Sequence, residues 1–94
     1  MADDRHAARV RITGRVQGVN FRGWTRAEAA KFGLDGWVHN EADGSVSALL
    51  AGPRAKVDAM IERLNEGPPA ARVVKVVVEE ADPGEVAAGF RILH

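Results

Sequence analysis

The residue types and spacing best able to do chemistry lie in one stretch, Gly14-Arg15-Val16-Gln17-Gly18-Val19-Asn20-Phe21-Arg22. An alternating apolar run leads into it and an amphipathic helical pattern leaves it. Between them stand two glycines and a cluster of hydrogen-bond donors, ending in an arginine. A strand that turns tightly into a helix leaves backbone N–H groups free at the turn. Those groups and the helix dipole form a site for an anion, above all a phosphate. Glycine in a turn also has an ordinary steric use, so the elements on either side must weigh on the reading.

Arg9 to Thr13 alternates, with Val10 and Ile12 on one face, and reads as a half-buried first strand. The turn takes roughly 14–20. From Phe21 to about Phe32 the period is helical: Phe21, Thr25, Ala29 and Phe32 share a face with Trp24 at its edge, and Gly33 is the stop. Core packing is the expectation for Phe21, Trp24 and Phe32. Leu34 to Asn40 reads as a second strand, Glu41-Ala42-Asp43-Gly44 as a hairpin turn, and Ser45 to Ala51 as the returning strand with Val46, Ala48 and Leu50 inward. Asn40 thus falls at a strand end beside the turn. Gly52-Pro53 is expected to open a second helix with the apolar stripe Val57, Met60, Ile61 and Leu64, ended by Gly67-Pro68-Pro69. Val73 to Val78 reads as a fourth strand buried on at least one side, and Phe90 and Ile92 as a short last strand at a sheet edge. The order β-α-β-β-α-β with an extra strand is the split βαβ, ferredoxin-like α+β pattern: an antiparallel sheet with both helices on one face.

Ninety-four residues make one domain, 1–94, of which 1–6 are expected to be a flexible tail. Thirteen basic and thirteen acidic side chains cancel, which argues against a general nucleic-acid binder. The balance is uneven: residues 1–31 carry seven basic and three acidic groups, so the half with the glycine turn is positive and suits an anionic ligand. Absence of cysteine excludes a disulfide framework and a thiolate nucleophile, and is compatible with a reducing compartment. With neither a signal-peptide pattern nor an apolar run of transmembrane length, the expected location is the cytoplasm. His6 falls in the tail and His94 at the far end, leaving His39 as the one histidine expected near the site, on the opposite strand face from Asn40. No His/Cys cluster has metal-ligand spacing, so neither a metal nor a cofactor is expected.

At this point the residues resemble a known family. Ile12 to Arg22 resembles the first acylphosphatase signature at every defined position. Gly36-Trp37-Val38-His39-Asn40, then Gly44-Ser45-Val46 and Gly52, resembles the second, with the right spacing between them. Gly67 to Val73 is similar to the connection that follows the family's second helix. The departure is His39, where the family more often has Lys, Arg or Gln. The resemblance implies hydrolysis of a small acyl phosphate to a carboxylate and inorganic phosphate; the chain is expected to be a monomer. It implies that Arg22 binds the phosphoryl group with the backbone of Val16, Gln17, Gly18, Val19, Asn20 and Phe21, and that Asn40 positions the attacking water. The residue types suit these roles. The guanidinium fork matches phosphate oxygens. An amide oxygen holds a water without being a base. Phosphoryl transfer asks for positioning and charge stabilisation more than covalent chemistry.

Taken singly, an arginine at a helix start is usually surface and an asparagine before a turn is usually turn chemistry; the paired motifs favour function for both. Gln17 is expected to be structural or to support the site from behind. Two other readings compete: an anion-binding module without turnover, and an RNA-recognition fold, which shares the element order. The latter fails on residues, since Arg9 to Thr13 and Val73 to Val78 hold no aromatic for bases to stack on.

Overall fold

The computed structural model describes residues 5–94, apart from the side chain of Glu85. The chain runs β1 (Arg5–Arg15), α1 (Phe21–Phe32), β2 (Asp35–Asn40), β3 (Val46–Pro53), α2 (Arg54–Glu66), β4 (Arg72–Ala81), a short 3-10 turn (Pro83–Glu85) and β5 (Phe90–Leu93). The strands form one sheet in the order β4-β1-β3-β2-β5, with both helices packed against it. This is the expected ferredoxin-like α+β architecture.

The alternation of β1 and β3 does the work anticipated for it. Val10 and Ile12 on β1, Val46, Ala48 and Leu50 on β3, and Val38 on β2 are all fully buried. They meet Phe21 and Ala29 of α1 and Val57, Met60 and Leu64 of α2 in one core. The helix α1 spans the expected residues and stops at Gly33, whose left-handed backbone (φ 69°) returns its N–H to the carbonyls of Ala29 and Ala30. Trp24 packs edge-on to Phe21, ring centroids 5.5 Å apart, and lies under the Arg63 guanidinium. It is core packing, as expected.

One buried charge escaped the periodicity argument. Glu28 lies on the buried side of α1 and accepts from Arg63 Nε of α2 and Lys31 Nζ, each at 3.1 Å. These partners hold its carboxyl below the usual range, the Arg63 hydrogen bond above all, against the opposing effect of desolvation.

Three expectations are corrected and a fourth is qualified. The tail reading fails for Arg5 and His6, which pair with Pro53 and Gly52 as the first rungs of the β1–β3 ladder; residues 1–4 lie outside the described residues. Arg5 also donates to Asp35 Oδ2 (3.1 Å) and the Val86 carbonyl (3.2 Å). The sheet is mixed rather than antiparallel, because β5 pairs parallel to β2 (Val38 with Ile92, His39 with Leu93). Pro53 closes β3 in an extended conformation and caps α2 instead of opening its first turn. Finally, β4 is the other edge strand, flanked only by β1, and its buried side is thin: Val73 and Val76 pack partly against the core as expected, while Val74 (75% exposed), Val77 and Val78 are exposed. A β-branched run states strand propensity but not how many neighbours the strand will have.

Candidate functional site

The loop between β1 and α1 is built so that its side chains serve the fold and its backbone is left over. Val16 is buried and Val19 packs against the core. Gln17 reaches across: its Nε2 donates to the carbonyls of Glu41 (2.8 Å) and Ser45 (2.9 Å). That ties the loop to the hairpin turn that follows Asn40, the structural role expected of it. Gly18 has φ 75° and Asn20 φ 62°, both left-handed, and asparagine is among the few side chains that tolerate it. These two reversals swing the chain from strand into helix. The Asn20 carboxamide then sits where a Cβ on Gly23 would be, so that position must stay bare.

The helix begins without a side-chain cap and without an acid in its first turn. Its first backbone bond runs from Trp24 N–H to the Asn20 carbonyl (3.0 Å). The N–H groups of Phe21, Arg22 and Gly23 lie ahead of that bond, with no partner inside the helix. They carry the positive end of the helix dipole.

A cavity of about 200 Å³ opens at this place. The expected loop residues line it, all but Val19, whose side chain is turned to the core. Arg22 and Asn40 line it too, brought together from α1 and β2. Asn40 shares the helix-facing side of β2 with Val38, and its Oδ1 is buried with no hydrogen-bond partner among the described residues. An orphaned buried acceptor costs on the order of 1–3 kcal/mol, so its retention at a cavity wall points to a donor supplied by a ligand. No aspartate or glutamate stands in the lining, and Arg22 brings a positive charge to it.

One of the histidines departs from expectation. His39 faces away, as anticipated, and pairs with Glu41 at 3.5 Å. His94, set aside for its distance along the chain, lines the cavity: Arg22 Nη1 lies 3.3 Å from its Nδ1 and 3.5 Å from the Leu93 carbonyl. The signal that could have found it is the apolar alternation of Phe90 and Ile92, which, continued two residues, puts position 94 on the same face.

The hairpin turn behind Asn40 is locked by Asp43, which accepts from the Ser45 hydroxyl (2.6 Å), the Ser45 N–H (2.9 Å) and Arg11 (2.8 Å). These bonds, the Ser45 hydroxyl first, bring the Asp43 carboxyl down to about 2. A larger hollow, about 310 Å³, lies on the open face of the sheet, but its arginines are engaged, Arg11 with Asp43 and Arg9 over Trp37, and Glu41 and Glu79 share its wall. It offers an anion far less than the loop does. Among the described residues, no helix is long and apolar enough to cross a membrane.

A ferredoxin-like sandwich with a cradle at the mouth of its first helix, lined by an arginine and by no aspartate or glutamate, defines an anion-handling domain. Known proteins narrow that class. A model of the acylphosphatase family matches residues 8–92. An acylphosphatase of Rhizobium meliloti is 61% identical over 98% of this chain and 97% of its own length. Among solved structures, an acylphosphatase from Coxiella burnetii superposes with a TM-score of 0.91 at 37% identity, over 96% of this chain and 94% of that one. One from Bacillus subtilis does so with a TM-score of 0.91 at 36% identity, over 95% and 99%. The chain belongs to the acylphosphatase family, hydrolases acting on acid anhydrides.

Proposed function

We propose that this chain cleaves the carboxyl–phosphate anhydride of small acyl phosphates, with Arg22 and the loop backbone holding the phosphoryl group and Asn40 holding the water. The phosphoryl oxygens take hydrogen bonds from the unpartnered N–H groups at the start of α1 and from the Arg22 fork. Asn40 Oδ1 accepts an O–H of water and aims its oxygen at phosphorus. The new P–O bond forms as the bond from phosphorus to the acyl oxygen breaks in line with it. The acyl group departs as a carboxylate, and the water's proton passes to a phosphate oxygen. A carboxylate leaves readily, so no side chain needs to protonate it. What remains for the protein is orientation and charge stabilisation.

The observation that carries this reading is the buried, unpartnered Oδ1 of Asn40 on the wall of the cavity that Arg22 and the loop also line. The test compares benzoyl phosphate with p-nitrophenyl phosphate, a monoester with a poorer leaving group. Benzoyl phosphate should be hydrolysed far faster. Comparable rates on both would mark a general phosphatase and overturn the reading.

A further inference from the structure

We propose that His94 is a positioning residue of the site, acting through Arg22: its imidazole Nδ1 accepts a hydrogen bond from Arg22 Nη1 and turns the rest of the guanidinium fork toward the loop. The inference deepens the reading above and rests on it for the role of Arg22. Its own basis is the strand β5. Because β5 runs parallel to β2 with Val38 beside Ile92 and His39 beside Leu93, the next residues, Asn40 at the end of β2 and His94 just past β5, both reach the one cavity. The two-residue period of a strand puts Val38, Asn40, Ile92 and His94 on the face toward α1. There His94 meets Arg22, the charged group that α1 presents to the cavity.

The guanidinium has five donors in a fixed plane and no acceptor. One corner, Nη1, lies against two acceptors, His94 Nδ1 at 3.3 Å and the Leu93 carbonyl at 3.5 Å. Both contacts are long, so they orient the fork without clamping it. Nη2 and Nε are left for phosphate oxygens, which is the pair a bidentate contact uses. Only an imidazole with Nδ1 unprotonated can accept, so the tautomer is fixed with the proton on Nε2. The other groups facing His94 do not compete for this role. Asn40 of β2 and the loop residues Val16, Gln17, Gly18 and Asn20 carry no charge. His39 and its partner Glu41 are engaged with one another on the far side of β2.

Two variants and one spectroscopic measurement test the assignment. His94→Leu removes the acceptor; His94→Gln keeps one, at Oε1, without a ring. Loss of a net hydrogen bond of ordinary strength predicts that His94→Leu weakens inorganic phosphate binding, read by calorimetry, by about two- to tenfold. Because Arg22 is proposed to hold the phosphoryl group in ground and transition states alike, KM for benzoyl phosphate should rise with kcat nearly kept. His94→Gln should restore phosphate affinity to within about threefold of the parent. In the unsubstituted protein at alkaline pH, where imidazole is neutral, nitrogen NMR should show the Nε2–H tautomer; in Arg22→Ala the preference for it should disappear. If His94→Leu binds phosphate as the parent does, or if Gln fails as badly as Leu, or if the tautomer is Nδ1–H, the assignment is overturned. A protein that binds phosphate with this pattern yet leaves benzoyl phosphate intact would overturn the proposed reaction and keep the role of His94.

Discussion

The two helices of this fold start alike and end up with different duties. Neither has a side-chain cap and neither has an acid in its first turn. Both follow a strand of the central pair, β1 and β3, in the two halves of the same split βαβ plan. The difference is the connection. Between β1 and α1 stand five residues, two of them left-handed, which fold the backbone into a cradle ahead of the helix. Between β3 and α2 there is no residue at all: the strand ends at Pro53 and the helix starts at Arg54. An open helix N-terminus is thus common to both, and a site exists at one. What makes the site is the loop, together with the side chains that neighbouring strands send to its rim. Asn40 comes from β2 and His94 follows β5, and α2 has no such neighbours, since its flank of the sheet ends in the exposed edge strand β4.

The largest effect is expected where that comparison is broken at its charge. Removing one partner of a sheltered, hydrogen-bonded charge pair costs about 2–5 kcal/mol, a loss of roughly 30-fold to several thousandfold. Arg22→Ala should therefore nearly abolish benzoyl phosphate turnover and weaken phosphate as a competitive inhibitor. Arg22→Lys should rescue poorly, because an ammonium cannot reproduce the planar fork. Full activity with lysine would reduce Arg22 to a surface charge, and the α1 mouth would then differ from that of α2 in the loop alone.

Asn40→Ala should come next and should separate the two proposed roles. A positioning contact misplaced or lost commonly costs on the order of a hundredfold. Here it acts on the water and not on the docked phosphoryl group, so kcat should fall while inorganic phosphate binds within a few-fold of the parent. The fold should survive, since the side chain ends a strand and its Oδ1 bonds to nothing in the protein; circular dichroism would check this. Near-normal turnover in a folded variant would return Asn40 to turn chemistry.

How much of this could be read ahead of the structure follows from how local each feature is. The helix α1, its glycine stop, the Asp43-Gly44 hairpin and the loop are decided by residues a few positions apart, and they stand where the pattern put them. Side-chain alternation alone placed His39 and Asn40 on opposite faces of β2. Features set by what lies across space were missed. The run Val73 to Val78 is strand whether it has one neighbour or two. Whether β5 pairs parallel or antiparallel depends on where the chain returns after Ala81. The role of His94 depends on that same register, and the burial of Glu28 on an arginine thirty-five residues away.

That Glu28–Arg63 contact links the two helices being compared, and it gives a pH prediction. The folded-state carboxyl lies below its ordinary value, so the contact contributes stability that is present above the unfolded carboxylate range and lost as pH falls from that range through the lowered folded one. The midpoint for thermal unfolding should drop on acidification toward pH 3 in the parent, and drop less steeply in Glu28→Gln. Parallel curves for the two proteins would show that the helix–helix contact carries no such linkage.

The smallest effect concerns the silent helix. The first turn of α2 holds Arg54 and Lys56, both exposed, at the positive end of the helix dipole, where cations are the wrong sign. Lys56→Glu replaces one of them with the charge that end prefers. Each such dipole contact is worth about 0.3–1 kcal/mol at an exposed site, which for a domain of this size raises the unfolding temperature by a few degrees. High salt should shrink the gain, as it does for any exposed charge effect. Turnover and phosphate affinity should not move, because the α2 N-terminus has neither the loop nor the rim residues that turn an open helix end into a site. A drop in phosphate affinity in a stably folded Lys56→Glu protein would mean that the field of α2 reaches the cradle, and the division of labour between the two helices would have to be redrawn.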